Sequence, residues 1–144
     1  PYANSGWCAK YIDIPSEPAY PFAFGLSYTT FEYSALKVLP GDGGKVHARV
    51  RVEVKNTGRY EGEEVVQLYV RDEAASITRP VKELKGFEKI ALKPGESKEV
   101  VFDITDEQLG FYDNRMNFVV EKGDFTFMVG TNSRDVDSVS YTLL

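Results

Sequence analysis

The residues able to do covalent or acid–base chemistry in this 144-residue chain are few and scattered. Ser27, Ser76 and Ser97 would need a histidine within hydrogen-bonding reach to act as nucleophiles, and the one histidine, His47, alternates with valines and is expected on a solvated strand face. The single cysteine, Cys8, has no base partner and no second thiol, so it reads as a packed thiol, with neither a disulfide nor a zinc cluster available. Two acidic pairs could be drawn as general acid and base. Glu63 and Glu64 are neighbours on a strand and therefore point to opposite faces, while Asp106 and Glu107 follow Thr105 in what reads as the first turn of a short helix, where acids meet the helix dipole favourably. Pro40-Gly41-Asp42-Gly43-Gly44 joins two strands and lacks the following helix that a phosphate loop needs. The residues thus assign no catalytic, cofactor-binding or metal-binding position.

The elements that would have to position a site are strands. Val46, Ala48, Val50, Val52 and Val54 alternate with His47, Arg49, Arg51, Glu53 and Lys55, placing the apolar residues on one face and the polar ones on the other. Val66, Leu68 and Val70 repeat the pattern, with Gln67, Tyr69 and Arg71 expected outward, and Asn56-Thr57-Gly58 supplies a turn between the two runs. Further strands are expected over 31–39, 81–92 with a bulge or bend at Gly86, 98–104, 118–121, 125–131 and 139–143. Turns are expected at Lys93-Pro94-Gly95-Glu96 and Lys122-Gly123-Asp124, and Thr105 is expected as the N-cap of a helical turn. Roughly seven or eight short strands at this spacing, with no long helix, predict an all-β chain: an immunoglobulin or fibronectin type III-like β-sandwich of about seven strands with an irregular N-terminal tail.

Composition narrows the partners. A net charge of -5 without a basic cluster argues against nucleic acid and anionic membrane, and no apolar run is long enough to span a bilayer. The aromatic content of 13% raises the possibility of a sugar platform, yet Phe102, Phe125 and Phe127 fall at inward positions, and Tyr2, Trp7 and Tyr11 lie in the leader. The opening at Pro1, with neither methionine nor signal peptide, leads to the expectation of a fragment or processed chain.

The densest signal is Tyr20-Pro21-Phe22-Ala23-Phe24-Gly25-Leu26-Ser27-Tyr28-Thr29-Thr30-Phe31, with five aromatics in twelve residues. Such a segment is expected to need a second packed body over it. The connection from Asp72 to Pro80 is the other candidate contact, because it gathers charge, hydroxyls and Arg79.

These residues resemble a known family. Ala19 to Phe31 is similar to the linker joining the second catalytic domain of family 3 glycoside hydrolases to their C-terminal fibronectin type III-like domain. Val54-Lys55-Asn56-Thr57-Gly58 with Glu61-Gly62, Val65 to Val70, Arg79 to Phe87 and Leu92 to Glu96 resemble that domain's later signatures, in order. The likeness is strongest to the bacterial periplasmic β-glucosidase type. One departure is that Ala23-Phe24 stand where the family usually has glycine then tyrosine. The resemblance implies a retaining β-glucosidase or β-xylosidase as parent, periplasmic or secreted, whose aspartate nucleophile and glutamate acid/base precede the linker and match nothing here. It therefore implies a non-catalytic accessory domain, residues 28–144, behind a tail and linker, residues 1–27. The expected partners are the catalytic domains of the same parent, with oligosaccharide at the domain edge as a further candidate. Phe22, Phe24, Tyr28, Asp72 and Arg79 are the expected interdomain contacts. A carbohydrate-binding module and a generic extracellular spacer or adhesion module are the alternatives.

Overall fold

A computed structural model describes residues 20–73 and 81–144. The valine alternation produces the centre of the fold. Strand β2 (Ala48–Asn56) buries Ala48, Val50, Val52 and Val54 completely and leaves the intervening charges outside. It lies between β1 (Phe31–Pro40) and β5 (Ser97–Ile104), all antiparallel, giving a three-stranded sheet in the order β1-β2-β5. The facing sheet has the order β4-β3-β8-β9, built from β3 (Gly62–Asp72), β4 (Glu83–Leu92), β8 (Gly123–Gly130) and β9 (Val136–Leu143). Seven strands in two antiparallel sheets make the expected β-sandwich. The inner rows of both sheets meet in one core, in which Val66, Leu68, Val70, Ile90, Leu92, Val100, Ile104, Phe125, Phe127 and Val129 are buried. Each large apolar side chain there contributes about 1.5–3 kcal/mol of burial.

Local chemistry explains the irregularities. Opposite Leu68 and Tyr69 the pairing jumps from Gly86 to Leu84, so strand β4 carries the expected bulge beside Gly86. Gly95 adopts φ 78° in the turn before β5, a conformation glycine reaches without a Cβ penalty. Helix α1 (Asp106–Leu109) is closed by a capping box: Thr105 Oγ1 accepts from the Glu107 N–H, and Gln108 Oε1 accepts from the Thr105 N–H. Its Leu109 is buried in the core.

Three expectations need correction. His47 precedes β2 instead of lying within the strand, and it is partly buried: its Nε2 is 2.7 Å from Asp106 Oδ1, and its carbonyl accepts from Tyr141 OH at 3.2 Å. The run at 118–121 forms only the short strand β7 (Phe118–Val119), which pairs with β6 (Phe111–Tyr112) as a separate ribbon, so Lys122-Gly123-Asp124 does not join two paired strands. Gln67 and Tyr69, expected outward and solvated, are buried at 4% and 2% exposure.

Candidate interdomain surface

The burial of Gln67 and Tyr69 reveals what lies on the outer face of the four-stranded sheet. The junction segment runs across it, and a cleft of about 410 Å³ opens between the two. Phe22, Gly25 and Leu26 line one side, Val65, Leu84 and Phe87 the other, and Gln67 lies among them. Two polar groups that would be costly to bury alone satisfy one another: Tyr69 OH donates to Gln67 Oε1 at 2.6 Å, and Gln67 Nε2 donates to the Thr131 carbonyl at 2.7 Å. Burial raises the Tyr69 phenol above its ordinary pKa.

The segment is a strap fixed near its ends. At one end the Ser133 N–H donates to the Phe22 carbonyl at 3.0 Å. At the other, Thr29 Oγ1 donates to Asn56 Oδ1 at 2.6 Å, and the Thr57 N–H donates to the Thr30 carbonyl at 2.8 Å. Asn56 is fully buried and acts as the anchor, donating through Nδ2 to the carbonyls of Tyr60 and Leu92 at 2.8 and 2.9 Å. Among the described residues, positions 23–28 make no backbone hydrogen bond to the sandwich. Within the strap, the Phe24 N–H donates to the Pro21 carbonyl at 3.0 Å, closing a turn in which Ala23 has φ 62°. That is the third position of a type II turn, where glycine is favoured and alanine is strained. It is also the position where the resemblance implies glycine.

The strap presents its apolar residues outward. Phe22 is 64% exposed, Phe24 44%, Leu26 94% and Tyr28 97%, and the rings of Tyr20 and Phe24 pack at 5.3 Å. Val65, Leu84, Phe87 and Val81 extend the apolar area on the sheet side. The structure therefore brings Phe22, Phe24 and Tyr28 onto one strap. Asp72 closes β3 five residues beyond Gln67, roughly 17 Å along the strand and away from them. Arg79, Cys8, Tyr2, Trp7, Tyr11 and most of the Asp72 to Pro80 connection lie outside the described residues.

The acidic pair Glu63 and Glu64 divides between faces as strand geometry requires. Glu63 Oε2 lies 2.6 Å from Lys89 Nζ at the surface, whereas Glu64 Oε1 accepts from Tyr33 OH at 2.8 Å between the sheets. Burial raises the Glu64 carboxyl above its usual range, opposed by the hydrogen bond from Tyr33. Burial, then the Glu64 charge, lifts the Tyr33 phenol far above its ordinary value. The two carboxylates cannot act together on one bond. Among the described residues, no group of three or more His, Cys, Asp or Glu side chains could hold a metal ion, and no helix is long and apolar enough to cross a membrane.

Ser133, which bonds the strap, and Gln67, Lys82 and Asn132, which bond the 131–135 turn, were not singled out from the sequence. Asn56 offered a signal that went unread: it continues the inward parity of Val50, Val52 and Val54, so a buried polar side chain with partners was legible there.

Residues 64–133 match the fibronectin type III-like domain. That stretch is a fibronectin type III-like domain. The periplasmic β-glucosidase of Salmonella typhimurium is 45% identical over 147 aligned residues, covering 100% of this chain and 19% of that protein. A β-xylosidase of Formosa agariphila is 47% identical over 88% of this chain and 18% of its own length. A solved β-glucosidase from Listeria innocua, in complex with isofagomine, superposes with a TM-score of 0.84 at 42% identity over 97% of this chain and 20% of that one. A family 3 β-glucosidase from Bifidobacterium adolescentis gives 0.80 at 40% identity over 86% of this chain and 18% of its own. The chain thus spans about a fifth of the length of the relatives it matches, and its fibronectin type III-like domain is of the kind that family 3 glycoside hydrolases carry.

Proposed function

We propose that this fibronectin type III-like domain is the non-catalytic accessory domain of a retaining family 3 β-glucosidase or β-xylosidase, C-terminal to the catalytic domains and docked on them through the strap at residues 20–28. One observation carries the reading: Phe22, Phe24, Leu26 and Tyr28 are held exposed on a segment anchored at both ends, and an exposed apolar band of this kind marks a surface that a second body covers. On this reading residues 1–27 are the tail and linker, residues 28–144 the accessory domain, and the catalytic domains of the same polypeptide the partner. The Asp72 to Pro80 connection, with Asp72 and Arg79, is the other proposed contact. The parent works in the periplasm or outside the cell, in carbohydrate degradation.

Two measurements test the reading. The 144-residue chain incubated with a chromogenic β-glucoside gives no turnover above a buffer blank; turnover overturns it. In the full-length parent, the double variant Phe22→Ser/Tyr28→Ser lowers the melting temperature of the catalytic domains while leaving that of the 144-residue chain nearly unchanged. An unchanged parent melt removes the strap from the interface. Retardation of the isolated chain by a soluble glycan in affinity electrophoresis would favour a carbohydrate-binding module instead.

A further inference from the structure

Among the described residues, one backbone hydrogen bond ties the strap's Phe22 end to the sandwich, from the Ser133 N–H to the Phe22 carbonyl. What holds Ser133 in place is therefore what sets the direction in which the chain leaves the sandwich. The turn at 131–135 is built from side chains. Asn132 is 5% exposed; its Oδ1 accepts from the N–H groups of Arg134 and Asp135 at 2.8 and 3.0 Å, and its Nδ2 donates to Asp135 Oδ2 at 2.8 Å. Gln67 holds the Thr131 carbonyl from below. The Ser133 carbonyl receives the Nζ of Lys82, whose ammonium also stands 6.0 Å from the centre of the Tyr69 ring.

We infer that Lys82 is the positioning residue of the strap: it holds the Ser133–Arg134 peptide by its carbonyl, and with Asn132 fixing the rest of the turn this keeps the N–H of the adjoining Asn132–Ser133 peptide aimed at the Phe22 carbonyl. The argument is one of geometry and charge. A charge-assisted hydrogen bond to a carbonyl is stronger than a neutral one, and Lys82 leaves the sheet just before β4 (Glu83–Leu92) begins, so its ammonium is tethered to a strand of the sandwich. Asn132 and Gln67 shape the turn on either side of Ser133, but Lys82 is the side chain on the Ser133 carbonyl itself. It also connects the two candidate contacts: Lys82 lies where the connection from Asp72 returns to the sheet, and through Ser133 it reaches Phe22. The consequence for docking rests on the reading of the strap as an interdomain junction; the positional role does not.

The test uses the 144-residue chain and amide hydrogen exchange resolved by NMR. Lys82→Met keeps the aliphatic stem over Tyr69 and removes the ammonium, and Lys82→Arg keeps a donor. The Ser133 amide exchanges about tenfold faster in Lys82→Met, while Val52, at the centre of the core, is unchanged. Lys82→Arg restores Ser133 to within about twofold of the parent chain. Unaltered Ser133 exchange in Lys82→Met overturns the inference, as does equal acceleration at Ser133 and Val52, which would make Lys82 a contributor to global stability alone. Failure here leaves the accessory-domain reading standing, because that reading is decided by turnover and by the melt of the full-length parent.

Discussion

Replacing Asn56 with alanine is the sharpest perturbation of the strap's other anchor. The side chain is fully buried and takes part in four hydrogen bonds: Nδ2 donates to the carbonyls of Tyr60 and Leu92, and Oδ1 accepts from Thr29 Oγ1 and the Gly58 N–H. Near Tyr60, which is largely exposed, water replaces the lost partner. Leu92 and Thr29 are 1% and 7% exposed, so their oxygens lose a partner that water does not easily supply, at about 1–2 kcal/mol each. The void left by the amide adds about 0.5–1 kcal/mol, for a total of about 2.5–5 kcal/mol. In a domain of this size each kcal/mol lowers the melting temperature by about 3–5 °C, so Asn56→Ala melts about 8–25 °C lower in a circular-dichroism scan of the 144-residue chain. Thr29→Val removes only one of the four bonds and costs about 1 kcal/mol. Because the two residues share that bond, the double variant loses less than the sum of the singles by about 0.5–2 kcal/mol. A fall of less than about 4 °C for Asn56→Ala, or strict additivity with Thr29→Val, refutes the anchoring role.

Ala23→Gly relieves the positive φ of 62° in the Pro21–Phe24 turn; with the glycine's greater unfolded-state freedom deducted, about 0.5–1 kcal/mol remains, and Phe24 amide exchange slows about two- to fivefold, whereas equal or faster exchange contradicts it. Glu64→Gln tests the half-buried carboxyl by pH. The folded-state pKa of Glu64 is raised, so its contribution is fully present below the unfolded value of about 4.3 and is lost as pH rises through the folded value. The melting temperature of Glu64→Gln relative to the parent chain therefore increases from pH 4 toward pH 7, and a difference that is flat or decreasing argues against the burial. Gly110→Ala places a Cβ 2.2 Å from Phe118 Cζ and 2.8 Å from the Asp106 carbonyl, so the β6–β7 ribbon must shift: the Tyr112–Phe118 edge contact at 5.4 Å is lost from aromatic ring-current NMR shifts, and retention of those shifts rejects the close packing.

Strand β2 was legible because five apolar residues at strict period two admit a single face, and its burial follows that parity from Ala48 to Asn56. The cap at Thr105 was legible for a similarly local reason, since hydroxyl, acids and glutamine stand at the offsets a short helix start requires. Gln67 and Tyr69 failed the same parity argument. Nothing in residues 66–71 records that a segment some forty positions earlier returns across them, and the turn at 131–135 reaches them from further still. The fate of Phe118 is the same kind of miss: a two-residue pairing of Phe118 and Val119 with Tyr112 and Phe111 competes with the expected hairpin to β8, and period-two patterning over four residues does not distinguish them.

The site was legible as a composition and not as a mechanism of support. Five aromatics in twelve residues announced an uncovered segment, but the polar residues that hold it come from three other elements. Asn56 ends β2, Ser133 belongs to the turn before β9, and Lys82 precedes β4. This division has a physical logic. On the proposed reading, apolar side chains that serve a second body cannot also fasten the segment to the first, because burying them inward would remove the surface they offer. Fastening is therefore left to the backbone carbonyls of Phe22 and Thr30 and the hydroxyl of Thr29, short groups that bond inward while the side chains of Phe22, Phe24, Leu26 and Tyr28 stay exposed. The strain at Ala23 fits the same division, since the turn it closes lies between the residue whose carbonyl is fixed and the ring of Phe24 that is presented.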